Sequence, residues 1–271
     1  MNQIEGGAEV SSAISPHQAA RSGDLALLKI YIERGGDVDA RDADGFSALH
    51  YAANAGFHDV TRLLLSCGAT ADARSRFQSS PLHFAAEHGR LDIMRMLLEH
   101  GASVDARNSD SASPLHFAAQ KGHPNAVMLM VESGACIDAV TSRGNAPLHY
   151  ASFFCKEDTV RYLLKRNANV SLRNVQGKLP GEEFVRAASE AQRSKIIGLI
   201  HGSRPTSPVQ SSKMVGQETC QLRSTVQDLQ EEVKNLKVQL AVKDAALRAA
   251  SMRVAELEAA RGEGSSTAAT T

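Results

Sequence analysis

The 271-residue chain has no Trp, and aromatic residues of all kinds make up only 4% of it. A chain short of large rings but rich in Ala, Leu and Gly builds thin layers of small helices rather than one deep core. Excess charge is missing too. Thirty Lys and Arg stand against 30 Asp and Glu, a formal net charge of +0, which disfavours nucleic-acid binding through a basic surface. Its four cysteines, Cys67, Cys136, Cys155 and Cys220, contain no CxxC pair, so structural thiols are expected rather than a disulfide framework or a zinc module. No apolar run approaches the roughly 18 residues needed to span a bilayer, and the opening MNQIEGGAEVSSAIS lacks the basic and apolar regions of a signal peptide. These absences place the expected location inside the cell, the cytoplasm ahead of the nucleus, with no membrane partner. GxSxG, Walker, dinucleotide and HExxH motifs are all missing, which predicts a protein that is not an enzyme and carries neither cofactor nor metal.

What is present is a period. His50, His83, His116 and His149 are spaced by 33, as are Gly35, Gly68, Gly101 and Gly134, and Pro81, Pro114, Pro147 and Pro180. Asp39, Asp72, Asp105 and Asp138 keep the same step, and Gly56, Gly89 and Gly122 form a further column. A fixed period of this length marks a solenoid of stacked units. Within a unit, Pro suits the first turn of a short helix and Gly a left-handed turn after it. Asp59, Asp92, Asn125 or Asp158 then falls in the first turn of a second helix, at its positive end. Each unit is thus helix, turn, helix and hairpin loop, and it buries its apolar face only by stacking.

The segments SALHYAA (47–53), SPLHFAA (80–86 and 113–119) and APLHYAS (146–152) resemble the TPLHxAA motif of the ankyrin-repeat family. The resemblance covers about residues 15–201, with a half repeat at the start and a degenerate unit from GKLPGEEF onward. It implies an all-α solenoid of four full repeats between capping units, in which the motif His hydrogen-bonds between neighbours. That role, and a spacing of roughly 10 Å against a zinc–ligand reach of about 2 Å, disfavours a metal site on these His.

In the family, partners lie along the hairpin tips and first helices. Carried over column by column, the candidates here are Arg41, Arg74 and Arg107 before the loops, Arg76, Phe77 and Arg143 at the tips, Phe46 in the following column, and His88, Lys121, Phe153 and Phe154 at the ends of first helices. Arg and aromatic side chains dominate interface energies. The Arg column admits two readings: charge-assisted forks for an acidic or phosphorylated segment, or bracing against Asp39, Asp72 and Asp105 or loop carbonyls. Phe153 and Phe154 stand where other units hold Asn-Ala, Glu-His and Gln-Lys. They suit an apolar anchor rimmed by Arg143 and Lys121. For Phe154 a second reading is open, an inward turn into a gap left by Cys155 and Glu157.

Residues 202–213 read as a linker with a Ser207–Pro208 dipeptide, and 262–271, like 1–14, as disordered. Between them, over 214–261, steps of four and three join Leu222, Val226, Leu229, Val233, Leu236, Leu240, Leu247, Val254 and Leu257. Val at a with Leu at d is the pattern of a two-stranded parallel coiled coil. Glu232 in g and Lys237 in e, and Arg253 and Glu258, are attractive pairs across such a seam. Self-association, a heteromeric coiled coil, or a single helix folded onto the repeats are the alternatives. The function that follows is a protein-binding adaptor or scaffold with a dimerising coiled coil. A substrate receptor or assembly chaperone is its close rival. A zipper-type transcription factor is weakened by only two basic residues in RPTSPVQSSKMVGQETCQ.

Overall fold

The computed structural model describes residues 15–203, together with Val226, Leu229, Val233, Leu236, Lys237, Gln239, Leu240, Lys243, Asp244, Arg248, Met252 and Arg253. The chain divides into two units, residues 1–217 and 218–271. In the first, the 33-residue comb folds as helix pairs: α1 (Pro16–Ser22) with α2 (Leu25–Glu33), α3 (Ala48–Ala55) with α4 (His58–Ser66), and α5 (Pro81–Glu87) with α6 (Leu91–Glu99). Then follow α7 (Pro114–Lys121) with α8 (Pro124–Glu132), α9 (Pro147–Phe153) with α10 (Glu157–Lys165), and a closing α11 (Glu190–Gly202). Among the described residues the only strand-like pairing is one isolated bridge, Arg41 with Ser47. The all-α solenoid expected from the period is what forms. Its first unit is more complete than the half repeat read from sequence, since both α1 and α2 are present.

The chain turns after each first helix because Gly23, Gly56, Gly89 and Gly122 adopt φ between 63° and 92°. Sterics add a second reason. A Cβ on Gly56 would come within 2.7 Å of the Arg90 side chain, and one on Gly122 within 2.5 Å of Lys156, so the next unit's side chain lies across each glycine. The odd-numbered helices α1 to α9 stack on one another as an inner row, and α2, α4, α6, α8 and α10 as an outer row. Leu49, Leu82, Leu115 and Leu148 of the inner row are 0–1% exposed, as are Leu64, Leu97, Met130 and Leu163 of the outer row. Each such side chain contributes roughly 2 kcal/mol of burial, and none can do so without a neighbouring unit.

Polar ladders fix the register of that stack. The Nε2 of His17, His50, His83, His116 and His149 bonds the carbonyls of Ala40, Ser79, Ala112, Asn145 and Lys178 at 2.9–3.2 Å. Nε2 is therefore the protonated nitrogen. Nδ1 accepts from the backbone N–H of Ser47, Ser80, Ser113 and Ala146 at 3.0–3.1 Å, and the three Ser hydroxyls lie 2.9 Å from it. Both nitrogens are committed to the neutral ring. Burial holds His50 down to about 4 and His83 and His116 down to about 3, with Arg41, Arg74 and Arg107 adding to the depression, and burial also lowers His149. A second ladder uses the Asp column: Asp39, Asp105 and Asp138 accept from the N–H of Thr70, Cys136 and Asn169 in the next unit at 2.8–2.9 Å.

The fifth unit departs from the pattern without losing its packing. Cys155 takes the glycine place with φ 54°, and Asn167 another with φ 63°. Glu157, read from sequence as leaving an apolar gap, instead accepts from Lys195 of α11 and Arg161 at 2.7 Å each, so the carboxylate ties the closing helix to the array. Of the cysteines read as structural thiols, Cys67 and Cys155 are free. Gln78 and Ser111 sit exposed in loop-tip positions with φ 57°, where Gly45, Gly144 and Gly177 stand in other units. A left-handed conformation costs an L residue about 1–2 kcal/mol, partly offset by the greater chain entropy that glycine loses on folding. Gln78→Gly and Ser111→Gly should therefore each raise stability by about 0.5 kcal/mol in urea unfolding, and a loss of stability in both would count against strain at these tips.

Candidate partner-binding groove

The loops begin with a short oxygen-bearing side chain in every unit: Asp42, Ser75, Asn108, Thr141 and Asn174. Asp42, Asn108 and Asn174 accept from the backbone N–H groups two and four residues on at 2.9–3.0 Å, which folds each tip back on itself. Successive tips are then joined. The N–H of Arg76, Ser109, Ser142 and Val175 donates to the carbonyl of Asp44, Phe77, Asp110 and Arg143 at 2.8–3.0 Å. The tips thus form one hydrogen-bonded row beside the inner helices, a pre-ordered surface rather than a set of independent loops.

The two readings of the Arg column separate here. Arg41 donates to the carbonyl of Arg74, Arg74 to that of Arg107 at 3.1 Å, and Arg107 to that of Val140 at 3.1 Å. Arg74 also pairs with Asp72 at 3.0 Å. A guanidinium reaches its own loop carbonyl and the one a unit further on, so Arg41, Arg74 and Arg107 brace the array and have donors engaged by the fold itself. Asp39 is not their partner, being occupied by Thr70.

The remaining candidates fall in different places. Phe153 and Phe154, T-shaped with ring centroids 5.0 Å apart, line a cleft of about 680 Å³ between the end of α9, the tips of the last two loops and the segment before α11. Tyr150 and Leu179 supply further apolar wall, Gln120, Asn145 and Asn174 supply amides, and Arg143, Lys178, Asp110 and Glu183 stand around it. Both rings are half-buried. The inward turn of Phe154 has no gap to fill, given the Glu157 ion pairs, and Phe153 is held from behind by the Val185 N–H donating to its carbonyl at 2.9 Å. Lys121, expected on the rim, pairs with Glu87 at 3.0 Å, and Lys178 is the cation that lines the cleft with Arg143. His88 is exposed at the end of α5, and Arg76 and Phe77 project from a tip, Phe77 55% exposed. Phe46 lies towards the other end of the array, edge-on to Phe84, His50 and Tyr51 at 5.5–5.9 Å.

A column missed in the sequence connects these patches. Tyr51, Phe84, Phe117 and Tyr150, one per unit on the inner helices, are each half-buried and edge-on to a His one unit back at 5.6–6.0 Å. Four of the twelve Phe and Tyr in the chain keep a step of 33, and that concentration was the available signal. Tyr51 donates to Asp42 at 2.6 Å, which pushes its hydroxyl up to about 12. Among the described residues no three His, Cys, Asp or Glu gather as a metal site, and no helix is long and apolar enough to cross a membrane.

The first unit is a helical-repeat array with a row of braced tips, an aromatic stripe and a cleft at the C-terminal end of the array. Compared with known families, residues 17–108 and 103–174 match ankyrin repeats in three copies, more than half of the chain. The chain belongs to the ankyrin-repeat family, whose repeats are in general protein–protein interaction modules. No curated protein matches it.

In the second unit, Val226, Leu229, Val233, Leu236 and Leu240 are helical and 49–60% exposed. Leu222, Leu247, Val254 and Leu257 of the heptad row lie outside the described residues, as do 1–14, 204–213 and 262–271.

Proposed function

We propose that the chain is a non-catalytic, intracellular adaptor: its repeats hold a protein partner along the tips and inner helices, and its heptad row associates with another helix to form a dimer. The observation that carries this reading is the cleft. Two adjacent rings are presented there by a helix end whose counterparts carry polar or small side chains, and amides and charges of both signs stand around them. Apolar rings flanked by polar groups are the composition of an interface hot spot, where a single aromatic is worth about 2 kcal/mol or more. A multivalent partner would then be held by avidity through two copies of the groove.

Phe153→Ser tests it. The ring faces the cleft, so the expected result is a melting temperature within a degree or two of wild type and at least a tenfold loss of the proteins recovered by affinity purification of the full chain. A core role would instead cost roughly 3 kcal/mol of stability, and that result at Phe153 would remove the cleft from the binding surface.

A further inference from the structure

The apolar row on the second unit needs a cover, because five large side chains in steps of three and four form a seam that a single helix leaves in water. With Val226 as a, the seam position after Leu240 is Lys243, at d, and Asp244 occupies the e position beside it. Both are helical and exposed. We propose that the row is covered by a second copy of this chain, parallel and in register, and that Lys243 of each copy engaging Asp244 of the other sets that register. This rests on the reading that the row associates with another helix, and names which one.

A lysine in a seam is destabilising unless its charge is met, and its usual effect is to specify register at that cost. In a parallel pair, the hole that receives a d side chain has the facing e residue of the same heptad as one wall. The facing e residue here is an aspartate, so each ammonium meets a carboxylate and the two lysines of the layer are screened from each other. The flanks agree. In register, the g and e positions set Glu218 against Arg223, Glu232 against Lys237 and Arg253 against Glu258 of the second copy, with no like-charge pair. A slip of one heptad loses all three attractive pairs and sets Glu232 against Asp244 and Lys243 beside Lys237. Val226, Val233 and Val254 at a with Leu222, Leu229, Leu236 and Leu257 at d further favour two parallel strands. Charge complementarity with itself in one alignment is what selects a second copy as the occupant.

The full chain tests this in three measurements. Sedimentation equilibrium should give twice the 29.0 kDa chain mass. Leu229→Cys should oxidise to a covalent dimer above the level given by the native cysteines, since facing d positions lie within disulfide reach only in a parallel, in-register pair. Lys243→Glu should weaken the dimer about tenfold or more, and K243E/D244K should restore it. A monomer would overturn the self-association reading as well as this one. A dimer without the Leu229→Cys cross-link would leave self-association standing and overturn the parallel register. Failure of the double variant to recover would overturn the Lys243–Asp244 lock.

Discussion

Lowering the pH from 7 to 5 should remove about 6 kcal/mol of stability from the repeat array. His50, His83 and His116 are buried and bonded at both nitrogens in the neutral state, and burial holds them at about 4, 3 and 3. An unfolded His titrates near 6.5. Between these values the unfolded chain binds protons that the folded one refuses, so stability falls as pH falls. The contribution is fully present above about pH 6.5 and is lost as pH drops towards the folded value. At pH 5 each of the three has lost about 2 kcal/mol, and His149, also lowered by burial, adds in the same direction. Against a typical total of roughly 5–15 kcal/mol for a domain, that loss is large enough to move most of the urea transition. Asp42 and Glu157, whose pKa values are lowered, titrate at lower pH and leave the window to the histidines. His116→Gln should reduce the pH 7-to-5 difference by about 2 kcal/mol. Unfolding midpoints that stay constant across this range would show that the ladder opens to admit the proton.

The comb was legible because each of its residues answers a local demand that any unit must meet: a proline that starts a helix, a glycine that reverses the chain, a histidine that carries a hydrogen bond from one unit to the next. The Arg column was not, because a guanidinium on a stem of that length reaches either a partner's carboxylate or a carbonyl 33 residues on, and only the spacing of neighbouring loops decides between them. Glu157 shows the same limit. Its place in an apolar column suggested a gap, yet Lys195 arrives from a helix outside the period, and no repeat alignment contains that contact. Phe153 and Phe154 were visible as departures from their column, whereas the Tyr51, Phe84, Phe117 and Tyr150 stripe went unread for the opposite reason, that it is regular. The tip ladder is beyond sequence altogether, being made of backbone groups. In the second unit the seam was read from spacing alone, and Val226, Leu229, Val233, Leu236 and Leu240 on it are helical and exposed, as are Lys237 and Gln239 off it.

Leu115→Ala should cost about 3 kcal/mol and change how the array unfolds as well as when. Leu115 is wholly buried on α7, which packs against α5 on one side and α9 on the other. Deleting three carbons from such a site loses transfer energy and leaves a void that two flanking units only partly close. In a stack held by nearest-neighbour interfaces, a weak layer in the middle uncouples what lies on either side. Leu148→Ala removes the same atoms from α9, where the neighbour beyond is the closing segment rather than a full repeat. The fifth unit there also lacks a Ser partner for His149, because Ala146 stands in that column, and holds Cys155 and Asn167 at positive φ. Hydrogen exchange in wild type should accordingly be faster over 145–201 than over 79–134. In Leu148→Ala the difference should widen until the terminal region opens alone, while Leu115→Ala should speed exchange on both sides of α7. Equal protection throughout, in wild type and in both variants, would mean that the array unfolds as one block and that its interfaces are stronger than the departures of the fifth unit.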